Sequence, residues 1–173
     1  VYTDQHADPI VKENASPRTT RPNKLVTVKA FTYSVPVTSI EEATEELSKG
    51  TSGVTITSTT DLTAPSTLEI PNAFGHGTST SVEIEQPVST DLTISEKTTS
   101  DKELPETLSV EMETTASLIV DTPNLTVSLE GTYTTVEATT AENTLIVAKN
   151  TVIETLTVKK GNVKIYGTVG EIV

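Results

Sequence analysis

The chain has 173 residues, no cysteine and a formal net charge of −12, with a pI near 4.5. This length suits one domain with a sizeable core. The acidic charge disfavours nucleic acid and anionic membrane surfaces as partners, because both are bound through clusters of Lys and Arg. Without cysteine, disulfides, zinc–thiolate sites and a cysteine nucleophile are excluded.

Apolar side chains are scarce and threonine is abundant. Hydrophobic residues make up 34% of the chain, aromatic residues 3%, and threonine contributes 35 residues. A compact globule would lack large side chains for its core, whereas a β-solenoid buries only a narrow column of Val, Ile and Leu and places Thr on the outward pleat. Disorder is the alternative for such a composition. Apolar alternation opposes disorder after residue 50, but not before residue 24.

The N-terminal part divides into two predicted segments. Residues 1–23 are polar and interrupted by Pro9, Pro17 and Pro22, which predicts an extended or disordered arm. Residues 24–50 are predicted to form capping strand or strands and a helix, with Pro36 ending the strand pairing. No run of about 18 apolar residues exists, so no transmembrane segment is expected. The first residues do not form a signal peptide, so an export signal or lipid anchor would have been removed already.

A short helix is predicted at residues 38–50. Ser39 is a good N-cap, and Glu42 stands three residues later, as in a capping box. A narrow apolar face follows from Ile40, Ala43 and Leu47. A single helix ahead of many strands indicates a cap, because an open solenoid end exposes core residues and unpaired backbone.

Residues 51–173 are predicted to form the solenoid rungs, because apolar–x–apolar triplets recur throughout. They are Val54–Ile56, Leu68–Ile70, Val82–Ile84, Leu92–Ile94, Leu108–Val110, Leu118–Val120, Leu125–Val127, Leu145–Val147, Leu156–Val158 and Val163–Ile165. An antiparallel sandwich is the main alternative. Very short strands, and the absence of Asn-Gly and Asp-Gly hairpin signals, favour the solenoid.

Two internal repeats support this interpretation. Residues 54–63 recur at 82–93, with an offset of about 28, and both copies close on Thr-Asp-Leu-Thr. Residues 116–133 recur at 154–168 and share Leu-x-Val, Asn and Gly-Thr. Rungs of roughly 20–25 residues would give about five or six turns. The apolar strand ending at Val173 predicts an end that folds back, meets a partner, stacks end to end on another copy, or continues in a longer native chain.

The sequence resembles a known family at these positions. Residues 39–50, followed by Val-Thr-Ile and Asp-Leu-Thr, resemble the capping helix and first rung of right-handed parallel β-helix proteins, the pectin-lyase-like folds. Residues 143–147, 154–158 and 161–170 are similar to β-helix surface proteins of gut Bacteroidetes that are described as adhesins. The resemblance covers about residues 38–173. It implies an all-β, right-handed parallel β-helix with one short N-terminal capping helix.

The same resemblance implies a function at the level of class. We expect a non-enzymatic, extracellular or cell-surface module for display, adhesion or carbohydrate binding, with a glycan or a surface protein as partner. No cofactor or metal is expected. The alternative is a carbohydrate-active enzyme, a polysaccharide lyase or a glycoside hydrolase, because such enzymes share the β-helix fold and fold alone does not decide function.

The positions of the basic residues give little support to a lyase. Lyases of this shape abstract a proton with a basic residue, often beside Ca²⁺ held by carboxylates. The two arginines, Arg18 and Arg21, lie in the predicted arm, and Lys159, Lys160 and Lys164 have no acidic cluster near them in sequence.

The weak catalytic candidates are Asp61, Asp91, Asp121 and His76. Hydrolases of this shape use several Asp on adjacent strands, and the three aspartates recur at intervals of 30, which would stack them on one face. The simpler interpretation is that each Asp stabilises a turn. His76 stands between two glycines, which is typical of an exposed loop.

Three other patterns of polar or aromatic residues each allow a functional interpretation beside a structural one. Glu83 with Glu85, and Glu111 with Glu113, alternate along strands, so each pair faces one side as a solvated surface or as Ca²⁺ ligands. The outward residues are too irregular for an ice-binding threonine ladder. Both Tyr133 and Tyr166 are predicted in the core or at a corner, rather than on a sugar-stacking surface.

Overall fold

The computed structural model describes residues 34–71, 79–97 and 107–173, without the side chains of residues 141–143. All of these belong to the unit Thr32–Val173, one of two into which the chain divides. The predicted arm, the predicted strand before residue 34, and His76 lie outside the described residues.

Nine strands and one helix make up this described part. They are β1 (Val35–Val37), α1 (Ile40–Ser48), β2 (Gly53–Ile56), β3 (Ser66–Pro71), β4 (Ser79–Ile84), β5 (Leu92–Lys97), β6 (Thr107–Asp121), β7 (Thr126–Val147), β8 (Val152–Ile165) and β9 (Thr168–Ile172). Every predicted triplet overlaps one of these strands. The prediction of a mostly β fold with one short helix is confirmed.

All the strand pairs that the structure describes are parallel and belong to one sheet. Its main path runs β1-β2-β4-β6-β7-β8-β9, while β3 pairs with β5 and β5 pairs with β6. Parallel neighbours need a long crossover rather than a hairpin. The alternative of an antiparallel sandwich is therefore wrong for this part of the chain.

The sequence interval between paired residues shortens toward the C-terminus. Val54 pairs with Val82, and Val82 pairs with Val110, at the same long interval. Val110 then pairs with Leu129 at a clearly shorter interval, and Val152 with Thr168 at a shorter one still. The early intervals are longer than the predicted rungs of roughly 20–25 residues and the last ones are shorter, so that prediction is wrong for these pairs. The connection between β6 and β7 covers only residues 122–125.

The two sequence repeats correspond to the structure in different ways. The first repeat is confirmed where Val54 lies beside Val82, but its Thr-Asp-Leu-Thr half is not, because Leu92 pairs with Ser66. Leu62 instead lies in a turn, where its N–H donates to the carbonyl oxygen of Thr59. In the second repeat, Leu118 and Leu156 are joined through Val136, so the copies are two strands apart.

The core is a column of aliphatic side chains that point inward from successive strands. Val54, Val82, Val110 and Leu129 follow one another in register and are all buried. Neighbouring strands lie about 4.8 Å apart, so each side chain packs on the one before it and the one after it. This packing explains how few large side chains can make a continuous core.

The two tyrosines of the C-terminal half differ in burial. Tyr133 is fully buried and donates its hydroxyl to the carbonyl oxygen of Glu130 at 2.8 Å, which confirms the predicted core position. Burial, helped by the charges of Glu111 and Glu130, raises the pKa of Tyr133 far above its ordinary value. Tyr166 is exposed and lies in the bend between β8 and β9, so of its two predicted positions the core is wrong and the corner agrees with the structure.

Helix α1 begins at the predicted cap. Ser39 Oγ accepts a hydrogen bond from the Glu42 N–H at 3.2 Å. The Glu42 carboxylate accepts from the backbone N–H of Thr38 at 2.8 Å and from the Thr38 hydroxyl at 2.9 Å. These bonds lower the pKa of Glu42. In a standard capping box, the Glu side chain accepts from the backbone N–H of the N-cap residue, which here is Ser39. In this helix it accepts from the N–H of Thr38 instead, one residue earlier.

One edge of the described sheet is covered by this helix. Ala43 and Leu47 are buried, Ile40 packs partly, and α1 contacts β1, β2 and β3. Within β1, Pro36 pairs with Thr55, so the prediction that Pro36 ends the pairing is wrong. Proline is tolerated on an edge strand, where its missing N–H removes no ladder bond.

Candidate ligand-binding face

The most regular polar feature of the described surface is a ladder of serines and glutamates across β4, β6 and β7. Ser81, Ser109 and Ser128 lie in register on the three strands. Glu83, Glu111 and Glu130 lie in register two residues further along. These six residues are called the Ser/Glu ladder below.

Strand periodicity places the Ser/Glu ladder on the outside. Val82, Val110 and Leu129 stand between the serine and the glutamate of each strand and are buried. Side chains of a strand alternate between its two faces, so the residues on either side of a buried one point away from the core. The glutamates are exposed and the serines partly exposed.

All residues of the Ser/Glu ladder except Ser128 line a groove of about 250 Å³, which Ser34 also lines. The Thr55 hydroxyl donates to the Glu83 carboxylate at 3.2 Å and lies 2.6 Å from the Ser34 hydroxyl. Hydroxyls and carboxylates therefore continue from β4 onto β2, where Thr55 is the register partner of Glu83.

The glutamates of this groove differ from others on the same sheet. Glu69 is paired with Lys97 at 3.0 Å, and Glu137 with Lys159 at 2.5 Å. The ion pairs of the described residues include none of the three ladder glutamates. Like charges directly opposite each other on adjacent strands are destabilising. A row of carboxylates without neutralising cations therefore lowers the stability of this part of the sheet, and such local destabilisation is typical of functional surfaces.

The three candidate aspartates do not form one row. Register places Asp121 beside Ser95, four residues beyond Asp91, so the predicted stacking at intervals of 30 is wrong. The Asp91 carboxylate accepts from the Ser117 N–H at 3.0 Å, which fits the turn-stabilising interpretation. Asp61 and Asp121 lie in separate depressions, one of about 350 Å³ beside Ser39 and one of about 270 Å³ beside Asn124.

One glutamate with a structural role has no signal in the sequence. The Glu96 carboxylate accepts from the backbone N–H groups of Asn124 and Leu125, at 2.5 and 2.8 Å, and from the Asn124 side-chain amide at 2.9 Å. It fixes the tight turn that leads into β7. Glu96 and Asn124 are far apart in sequence, so only the strand register brings them together.

The described ranges contain no cluster of side chains that could hold a metal ion. Nowhere in residues 34–71, 79–97 and 107–173 do three or more His, Asp or Glu stand close enough to hold a metal ion. This includes Glu83 with Glu85 and Glu111 with Glu113, for which calcium was the alternative. In the same ranges, no helix has the length and apolar character needed to cross a membrane.

No protein-family model, curated protein or solved structure matches the chain. The resemblance to pectin-lyase-like surface proteins therefore stays a prediction.

Proposed function

We propose that the chain is a right-handed parallel β-helix that acts as a non-enzymatic, extracellular or cell-surface module, and that its Ser/Glu ladder binds a glycan. The parallel pairing supports the architecture, because β2 pairs with β4 and β3 with β5, so that the chain returns to the same side after each pair of strands. Parallel crossovers within one sheet are right-handed in about 98% of cases.

The single observation that carries the glycan proposal is the register of the Ser/Glu ladder. Ionised carboxylates are pure acceptors, and serine hydroxyls both donate and accept, so together they match the many hydroxyls of a sugar. The three-strand repeat offers the same set of groups about every 4.8 Å. Because the row is negatively charged, it favours neutral or amino-sugar glycans and repels polyanionic ones.

A carbohydrate-active enzyme is the second candidate, and one observation favours it. Glu83, Glu111 and Glu130 stand on adjacent strands, whose general spacing of about 4.8 Å is close to the separation of about 5–5.5 Å between the carboxyls of retaining glycosidases. A catalytic acid needs a raised pKa, which enzymes obtain by burial. All three glutamates are exposed, so the binding role fits them better.

Calorimetry against neutral, amino-sugar and polyanionic oligosaccharides tests the proposal. We expect Glu111→Gln to weaken binding of the preferred neutral or amino-sugar ligand about tenfold, since hydrogen bonds to charged groups contribute about 1.5–3 kcal/mol. Glu154→Gln is the matched control, because Glu154 is an exposed glutamate on β8, outside the ladder.

The outcomes separate the two candidates. Binding that is lost in Glu111→Gln but kept in Glu154→Gln supports a glycan-binding face. Release of new reducing ends by the native chain, abolished by Glu111→Gln, would establish the enzyme instead. Equal affinity in both variants, or no binding to any oligosaccharide class, would reject the ladder as the site.

A further inference from the structure

The carboxylate that β4 contributes to the Ser/Glu ladder is held differently from those of β6 and β7. Glu83 accepts a hydrogen bond from the Thr55 hydroxyl of β2 at 3.2 Å. The carboxylates of Glu111 and Glu130 accept no hydrogen bond from any other described residue. One end of the row of glutamates is therefore oriented by a neighbouring strand, whereas the rest can change orientation.

The direction of the hydrogen bonds at this end follows from the chemistry of the acceptor. An ionised carboxylate only accepts, so the single hydroxyl proton of Thr55 is directed to Glu83. The Ser34 hydroxyl lies 2.6 Å from that of Thr55, so Ser34 is the donor of this second bond. The bonds thus run from Ser34 through Thr55 to Glu83, and each donor polarises the next.

The serine that β4 contributes is also turned toward β2. Its register partner is Gly53, and the Ser81 hydroxyl occupies the space that a side chain at Gly53 would need. Ser34, Ser81 and Glu83 line the same groove. Both ladder side chains of β4 therefore lie against β2, at one end of the groove.

Oriented and unoriented carboxylates suit different groups of a sugar. A fixed carboxylate gives a neutral hydroxyl a directional acceptor, and ordering it in advance lowers the entropic cost of binding. An ammonium group is a compact point charge with rotatable donors, so it needs no fixed direction. Glu83 therefore fits a neutral hydroxyl, whereas Glu111 and Glu130 fit an amino group.

We propose that Thr55 is a positioning residue of the glycan-binding face, and that through Glu83 it sets the preference for neutral sugars over amino sugars. Thr55 holds the Glu83 carboxylate in one orientation, with Ser34 as the donor behind it. The assignment rests on the proposed glycan-binding function, and Thr55 itself lies outside the six residues of the Ser/Glu ladder.

Two trimers of β-linked sugars measure this preference by calorimetry with the whole chain. Cellotriose is neutral, and the glucosamine trimer carries an ammonium group in place of one hydroxyl on each ring. We expect Thr55→Val to weaken cellotriose binding about fivefold, the loss of one hydrogen bond, and glucosamine-trimer binding less than about twofold. Thr55→Ser keeps the hydroxyl, so it should retain the native ratio of the two affinities.

The matched control is the same substitution on another strand. Valine is β-branched like threonine, so Thr55→Val preserves the strand. Thr93→Val makes this change at a partly exposed position of β5, outside the groove, and should leave both affinities unchanged. A general loss of stability would weaken both trimers equally and would not change their ratio.

A double variant distinguishes positioning from direct contact with the sugar. If Thr55 acts through Glu83, Thr55→Val should have no further effect on cellotriose binding in a Glu83→Ala background. Three-bond NMR couplings of the Glu83 side chain test the same point without a ligand. We expect one predominant rotamer in the native chain and averaging over several in Thr55→Val.

The results separate this role from the function on which it rests. An unchanged affinity ratio in Thr55→Val, a changed ratio in Thr55→Ser, an undiminished effect in the Glu83→Ala background, or an unaltered Glu83 rotamer would each overturn the positioning role. So would a native chain that does not bind cellotriose. The glycan-binding function would survive these results, and would itself be rejected if the native chain bound no oligosaccharide.

Discussion

At the scale of single residues, two buried threonines differ in whether their hydroxyls are hydrogen-bonded. Thr151, which is buried, donates its hydroxyl to the carbonyl oxygen of Leu129 at 2.5 Å. Thr122 is equally buried, but its hydroxyl has no hydrogen-bond partner in the part of the chain that the structure describes. A buried hydroxyl without a partner costs about 1–3 kcal/mol. These two threonines therefore contribute to stability with opposite signs.

Replacing each threonine by valine, which has nearly the same shape, separates these contributions. We expect Thr122→Val to raise the free energy of unfolding by about 1 kcal/mol, because it removes an unpaired hydroxyl. Thr151→Val should lower it by about 1 kcal/mol, because the hydroxyl hydrogen bond to the Leu129 carbonyl oxygen is lost, although that oxygen keeps the Ala148 N–H as a donor at 3.1 Å. Urea denaturation at equilibrium measures both. If Thr122→Val were less stable than the native chain, its hydroxyl would have to be bonded after all.

The sequence predicts which face a residue takes more easily than which residue lies beside it. Alternation around Val82 and Val110 was enough to place Glu83 and Glu111 outside. It could not place Glu130 beside Glu111, because that register depends on a short sequence interval that follows a longer one. A fixed interval of 30 likewise put Asp91 and Asp121 together, although the actual register separates them.

Helix α1 is the element that the sequence predicts best. Its signals are all local: the cap at Ser39, and apolar side chains at Ala43 and Leu47 on one face. The helix contacts β1, β2 and β3, so it covers core that the β1 edge would otherwise expose. Because the signals that form α1 are local, substitutions in this helix can measure how much it stabilises the sheet that it covers.

Truncating the buried face of α1 should destabilise the protein strongly. Leu47 is 2% exposed, so Leu47→Ala should lower the free energy of unfolding by about 2–4 kcal/mol through lost burial and a residual cavity. Glu45→Ala, on the exposed face of the same helix, should change it by no more than about 0.5 kcal/mol. Equal effects of the two variants would mean that α1 does not act as a cap.

At the scale of the whole molecule, topology was predictable only in outline. Parallel pairing followed from missing hairpin signals and from repeats such as the one that brings Val54 beside Val82. The prediction of very short strands is wrong for β6, β7 and β8, which have 15, 22 and 14 residues. The uneven sequence intervals between paired strands could not be predicted, because the polar, Thr-rich connections carry weak turn signals that do not reveal their lengths. The order of strands also means that most contacts join each strand to its immediate neighbours, as in quasi-one-dimensional repeat proteins.

Such an arrangement predicts a gradient of local stability rather than uniform unfolding. Strands β6 and β7 pair on both sides, whereas β9 pairs only with β8 among the described strands. In hydrogen exchange, we expect the β9 amides, such as that of Thr168, which donates to the Thr151 carbonyl oxygen, to exchange fastest. The amides around Leu129 should exchange slowest, because their exchange requires opening in the middle of the column. Equal protection of β9 and β7 would show that the sheet unfolds as one cooperative unit, without a gradient of local stability.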